Sequence, residues 1–562
     1  MKPETLMGAV PLPGERRAVP RAEQLDADDF ADAVDDGVQL PVPDHGDRPP
    51  RVVMFRPNTV EHDTRGKKIA LSLARGGYDV ISLNCVLPGA DPDDHQLALG
   101  PVQIVTVALS NRHRATHNMR LATRRRRMLH VIDWTGRDEY VTRIAELRGR
   151  VNAERDRRLA EPKAVAPRAG HLTARLRLIT RRGRWKSQAA LDAAMRQAWR
   201  AWDRRRQATE LLATDKGNLP ELADYADTFG KTLDELEPDV LHAHHPTVLP
   251  IALRAARRIR ARGGRCIVVY DARENYSGIP AEEQGHPRRH AVLLRQEERS
   301  IADVAAVFTV SDPIAEVLQQ RYHLARRPTV LLNAPPYVPV APGGEGPSLR
   351  TVLGMDPQTP LLVYSGGISR ARGIEVLVEA LAHLTGVHLA LVTVPFPHPM
   401  MRELNARAAR LGVADRVHAV APVGQGELIG FLSSADVALH PLPGGSPNHD
   451  QALPNKLFEY LHAGLPLVVS DARLMADFVR AHGLGEVFRT DDALDLAAAV
   501  RRVLDAPRSP DSRAELASTY SWQSQEPLLL ETYHRVAPLP PGAAPALSEL
   551  PAEFPDLQLT PG

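Results

Sequence analysis

Leu453-Pro454-Asn455-Lys456-Leu457-Phe458-Glu459-Tyr460-Leu461 opens a helix inside a strand–helix–strand pattern. The apolar run Val437–His440 comes first, followed by a loop holding Pro441, Pro443, Gly444, Gly445 and Pro447. Gly464 closes the helix, and the apolar run Leu467–Ser470 follows. Pro454 suits the first helical turn, where its missing N–H costs nothing. The amides of Asn455 and Lys456 then point at an anion, as free helix N-termini do. Glu459 lies one turn further in, where a carboxylate can reach the two hydroxyls of a ribose.

The same βα rhythm extends in both directions. Upstream, Tyr364-Ser365-Gly366-Gly367-Ile368-Ser369-Arg370-Ala371-Arg372-Gly373 carries a strand into a glycine turn, two arginines and a helix from Ile374. Glycines admit a close ligand, and arginine forks onto phosphate oxygens. Further strands are expected at 361–364, 387–392 and 417–420. Together they define a second α/β domain, 351–512, after a Pro/Gly-rich linker at 339–350. The first domain, 51–338, opens with strand 52–55, a helix Thr64–Arg75 ended by Gly76-Gly77, and strand 79–83. It resumes with strands at 240–244, 266–270, 306–310 and 329–333, with helices between them. The expected fold class is α/β, two Rossmann-like lobes facing a cleft. Such open sheets bind ligands beyond the carboxyl ends of their strands.

The 562 residues exceed one compact domain, and 43% hydrophobic content is ordinary for buried cores. The net charge of +2 conceals a basic insertion: residues 112–210 hold 27 Arg or Lys against 10 Asp or Glu. Its arginines interleave with Trp185, Trp199 and Trp202, which suits an anionic membrane surface. A solvated helical insertion is the plainer alternative. No nucleic-acid-binding module accompanies it, so nucleic acid is not an expected partner. Residues 1–50 are acidic and Pro-rich, 538–562 Pro-rich, and both are expected to be disordered. Cys85 and Cys266 show neither zinc nor disulfide spacing and read as small buried hydrophobes of a cytoplasmic protein. No run of about 18 apolar residues and no signal-peptide pattern is present, so any membrane contact is peripheral.

The stretch PNKLFEYLHAGLPLVVSD resembles the donor-site signature of the retaining GT-B glycosyltransferases of family 4, the group 1 glycosyltransferases. YSGGISRARGIEVLVEAL is similar to that family's phosphate loop. PDVLHAHH, IVVYDARENYSG, ADVAAVFTVSDPIAEVL and VLLNAPP resemble its acceptor-domain segments. YSWQSQEPLLLETYHRV resembles its closing helix, here 513–537, which crosses back to the first lobe. The likeness covers roughly 51–111 and 215–537.

The resemblance implies transfer of a sugar from a nucleotide-diphosphate sugar, UDP- or GDP-linked, to an acceptor hydroxyl with retention. It implies no metal and no further cofactor. The expected acceptor is a cell-surface glycan or lipid-linked precursor. Carried over, Glu459 binds the ribose and Arg372 the diphosphate. Gly366, Gly367, Arg370, Asn455, Lys456 and Leu457 line the same site. Arg273 stands where relatives carry a histidine near the reacting sugar, beside Glu274. Gln451 replaces a frequent glutamate. Gly367 stands at a frequent basic position, with Arg370 as its expected substitute. His62 and Asp63 are expected to contact donor or acceptor, His244 is expected in the cleft, and a metal at His242 and His244 is not expected. Arg273, Gln451 and Gly367 also motivate one alternative, an impaired GT-B protein that binds nucleotide sugar or serves in assembly. A further alternative is an epimerase or phosphorylase on the same fold.

Overall fold

The computed structural model describes residues 48–57, 63–86, 97–115, 219–280, 287–338, 348–506 and 511–542, with a few positions elsewhere. The basic insertion lies almost wholly outside the described residues. So do His62, residues 1–47 and most of 543–562. Arg48 already belongs to the first lobe, pairing with Asp239 at 2.6 Å, so that lobe extends slightly beyond the expected border at 51.

The first sheet contains β1 (Arg51–Phe55), β2 (Asp79–Val86), β3 (Gln103–Ala108), β4 (Val240–Ala243), β5 (Ile267–Asp271), β6 (Ala306–Thr309) and β7 (Thr329–Val330). All pairs are parallel, in the order β3-β2-β1-β4-β5-β6-β7. The second sheet contains β8 (Leu361–Gly366), β9 (His388–Thr393), β10 (Val417–Val420), β11 (Val437–His440), β12 (Leu467–Ser470) and β13 (Gly485–Phe488). It is also parallel, in the order β10-β9-β8-β11-β12-β13. The direction of winding reverses between β1 and β4 in one sheet, and between β8 and β11 in the other. Those two switch points open crevices for ligands.

Both faces of each sheet are covered, which is why the strands read as nearly continuous apolar runs. Val53 and Phe55 face one core, while Val52 and Met54 face another. Two strands are not evident from periodicity: β3, whose residues are half exposed, and β13, which begins at a glycine. The third, β7, is shorter than its apolar run suggests.

The helix Trp522–Val536 completes the first lobe, not the second. Trp522, Leu529, Leu530 and Tyr533 are buried with Val52, Ile69 and Leu73. Trp522 Nε1 donates to Ser72 Oγ at 2.9 Å, and Tyr78 Oη donates to the Ala537 carbonyl at 3.0 Å. The lobes also meet at a hydrogen-bonded latch. Asn275 N donates to Asn448 Oδ1 and Asn275 Nδ2 to Gln451 Oε1, each at 2.8 Å. Ser311 Oγ donates to the Gln451 carbonyl at 2.6 Å, and Ser446 Oγ to the Gly278 carbonyl at 3.1 Å.

Away from the cleft, the fully buried Glu297 accepts from Tyr270 Oη at 2.7 Å and Tyr322 Oη at 2.8 Å. Burial pushes its carboxyl up to about 7, and the two hydroxyls offset only part of that. A carboxyl whose folded pKa is raised stabilises the fold most while protonated. Stability therefore falls as pH rises from the unfolded value near 4.5 through 7. At roughly 1.4 kcal/mol per pKa unit the loss is a few kcal/mol. Glu297→Gln is expected to flatten urea-denaturation stability between pH 5 and 8; an unchanged pH profile would contradict this assignment.

Candidate donor and acceptor site

The helix Asn455–His462 starts at the carboxyl side of the second sheet, with Pro454 as its N-cap in extended conformation. Pro454 thus precedes the first turn instead of occupying it. The side chains of the first turn converge on Glu459, which is 4% exposed. Asn455 Nδ2 donates to Oε1 at 2.9 Å, and Lys456 Nζ to Oε2 at 2.7 Å. Leu457 does not join them. Its side chain is in the core and its amide donates to the Pro454 carbonyl at 3.0 Å, so it has no donor group to offer.

Facing this helix is the turn after β8. Gly366 has φ +137°, and a Cβ there would sit 3.1 Å from Lys456 Cε, so only glycine lets lysine and loop approach this closely. Gly367 follows, and its carbonyl accepts from Tyr364 Oη at 2.8 Å. Arg372, in the single 3-10 turn Arg370–Arg372, is exposed beside the Tyr364 hydroxyl. Arg370, the expected substitute for the basic residue missing at Gly367, pairs with Glu403 at 2.6 Å on the exposed surface. His440, at the end of β11, went unremarked in the sequence. It is buried, stacks on Tyr364 at 6.2 Å, and among the described residues both its ring nitrogens lack partners. Burial, then Arg372 and Lys456, push it down to about 3. Its only sequence signal was its place at a strand's carboxyl end.

Across the cleft, the switch point of the first sheet holds a charge cluster. Asp63 caps the helix Thr64–Arg75, accepting from Gly66 N at 3.0 Å. It pairs with Arg56 and, through Arg273 Nη1 and Nη2, at 2.8 and 3.0 Å. Asp271, at the end of β5, accepts from Arg65 Nη2 at 2.8 Å and Arg273 Nε at 2.8 Å. His244 Nδ1 lies 2.8 Å from Arg273 Nη2 and 3.1 Å from Asp271 Oδ2. Burial would raise both aspartates, but the guanidiniums outweigh it and hold each well below the carboxylate range. Burial pushes His244 down to about 4, so it is neutral. His242, Nδ1 2.7 Å from Tyr533 Oη, stacks on His244 at 4.3 Å and is likewise held neutral by burial.

His242, His244 and Asp271 place possible ligand atoms within 4.8 Å of one another. Arg65 and Arg273 already occupy both oxygens of Asp271, so a metal ion there would face two guanidiniums. Glu274 points outward and is exposed. Gln451 is drawn into the interlobe latch through its side-chain carbonyl. Lys68 was also missed. It is buried, donating to Asn333 Oδ1 at 2.9 Å and lying 4.9 Å over the Trp522 ring. Burial, then Arg65, push it down to about 7.

Two parallel-sheet lobes with ligand groups at both switch points define the GT-B class. Its relatives by sequence agree. A family model described as glycosyl transferases group 1 matches residues 359–506, and one described as glycosyltransferase family 4 matches 167–334. The chain belongs to the group 1 glycosyltransferases. It is 26% identical over 34% of its length to a D-inositol 3-phosphate glycosyltransferase of Mycolicibacterium gilvum, covering 43% of that protein. It is 30% identical over 29% of its length to an MMP alpha-(1->4)-mannosyltransferase of Mycolicibacterium hassiacum, covering 40% of it. The chain thus matches about half the length of its curated relatives. In fold it is similar to sucrose-phosphate synthase from Thermosynechococcus elongatus, at TM-score 0.55 and 14% identity over 87% of this chain and 99% of that one. A glycosyltransferase from Rickettsia africae gives TM-score 0.50 and 11% identity, over 87% and 98%.

Proposed function

We propose that this protein transfers a sugar from a nucleoside-diphosphate sugar to an acceptor hydroxyl, with retention of anomeric configuration. The observation that carries the reading is the convergence of Asn455 and Lys456 on the Glu459 carboxylate, opposite the Gly366–Arg372 turn. In this reading the ribose hydroxyls donate to Glu459. Lys456, held by the same carboxylate before the donor arrives, is a compact charge on a flexible stem and turns to the diphosphate. Arg372 and the amides of Asn455 and Lys456 stabilise charge developing on the leaving phosphate. The departing phosphate takes the acceptor's proton on the same face as attack. The lobes, 51–338 and 351–512, close over the reaction and exclude water.

The acceptor is a glycan or lipid-linked precursor met in the cytoplasm or at the inner membrane face. Among the described residues no helix is long and apolar enough to cross a membrane. A membrane role for the basic insertion is part of this proposal. The second reading is a donor-binding protein with impaired turnover. Gln451 committed to the latch and Arg273 held by two aspartates favour it. A thermal-shift panel of UDP- and GDP-sugars, followed by donor hydrolysis, separates the two. Stabilisation with turnover supports transfer, stabilisation alone supports the second reading, and no stabilisation by any donor overturns both.

A further inference from the structure

We propose that the first lobe holds an oxyanion-binding site at the carboxyl ends of β1 and β5, with Arg273 at its face and Arg56 behind it, for a phosphate or carboxylate group carried by the acceptor. The inference rests on the glycosyl-transfer reading and narrows its acceptor to an anionic one.

The argument starts from charge. Three guanidiniums, Arg56, Arg65 and Arg273, share two carboxylates, Asp63 and Asp271. The histidines in the cluster are neutral. Among the described residues the cluster therefore keeps one positive charge in excess, at a place where unpaired charge is costly. Guanidinium cannot relieve this by losing its proton.

Hydrogen bonding gives a second, independent sign. Arg56 is 2% exposed and donates through Nη1 to Asp63, yet among the described residues its Nε and Nη2 have no partner. Buried donors seldom stay unmade without a reason. A neutral hydroxyl would answer a donor but leave the charge. An anion at the Arg273 face would offset the charge that the buried Arg56 shares with Asp63.

Arg273 is where such an anion would arrive. Its side chain is 27% exposed, against 2% for Arg56 and Arg65. Its inner edge is fixed by Asp63, Asp271 and His244, so the guanidinium is presented in one orientation. Those partners take four of its five N–H groups, so it offers an arriving oxyanion its charge and one remaining Nη1–H. Arg56, on the far side of Asp63, supplies the charge that this shared carboxylate cannot balance.

The same anion could come from the donor's diphosphate. The second lobe already offers that group Arg372, Lys456 and the amides of Asn455 and Lys456. The first-lobe site is therefore assigned to the acceptor.

The test uses the full chain and inorganic phosphate as probe. UDP and GDP are titrated first by calorimetry. Binding of neither would overturn the glycosyl-transfer reading, and the phosphate titration would still decide on the site. Phosphate is then titrated into the nucleotide-saturated chain at constant ionic strength. The expected result is one phosphate site that persists with nucleotide bound, weakened at least ten-fold in Arg273→Gln and several-fold in Arg56→Gln. Displacement of phosphate by nucleotide would assign the anion to the donor and overturn the proposal. So would phosphate affinity unchanged by both substitutions, or no phosphate binding at all. If Arg273→Gln does not fold, Arg273→Lys keeps the charge but loses the fork, and an affinity equal to wild type there and in Arg56→Gln also overturns it.

Discussion

Arg372→Ala is expected to lower turnover by a factor on the order of 10²–10³, the usual cost of removing one donor that stabilises transition-state charge. Arg372 is exposed, and nothing in the core depends on it, so its loss should leave the melting temperature unchanged. It stands beside the Tyr364 hydroxyl at the turn that faces Lys456, where a leaving diphosphate would gather charge. The effect should fall mainly on kcat, because charge on the bridging oxygen grows only as the glycosidic bond breaks. Arg372→Lys should recover part of the rate, since an ammonium restores charge but not the two-pronged contact. Full turnover in Arg372→Ala would remove this residue from the chemistry.

Glu459→Ala should instead act on donor binding. A hydrogen bond to a charged group contributes about 1.5–3 kcal/mol. Two ribose hydroxyls on one carboxylate then predict a loss of donor affinity of 100-fold or more. Removing Glu459 also frees Lys456, which offsets part of the loss through the diphosphate. The cleanest measurement pairs the substitution with a donor lacking the ribose 2′-hydroxyl. Wild type should discriminate against that donor, and Glu459→Ala should not. Equal discrimination by both proteins would place the ribose elsewhere.

How far the sequence could be read depended on how local each feature was. The stretch 454–460 carries its own turn, helix start and carboxylate, so its chemistry is legible within seven consecutive residues. Strands buried on both faces announced themselves as apolar runs; the edge strands β3 and β13 did not, because most of their residues are only partly buried. The charge cluster was only partly visible. Asp63 and Arg273 stood out singly, but Arg273 meets Asp63 across 210 positions and Arg65 meets Asp271 across 206. Nothing in the spacing of the helix Thr64–Arg75 marks Arg65, Lys67 and Lys68 as interior, yet all three are buried. The partner that covers part of that helix is Trp522, some 450 residues away in the chain. Gln451 showed the same limit: its place in the motif suggested a sugar contact, while its hydrogen bonds serve the latch.

The helix Trp522–Val536 has a consequence for how the chain is made. On the ribosome, all seven strands of the first sheet are made before the roughly 190 residues that separate Val330 from Trp522 have been translated. At 5–20 residues per second that is an interval of roughly 10–40 s. Throughout it the surface around Val52, Ile69 and Leu73 lacks the Trp522, Leu529 and Tyr533 side chains that seal it. The nascent first lobe is therefore a natural client for a chaperone, and its last step of maturation waits on the far end of its own message.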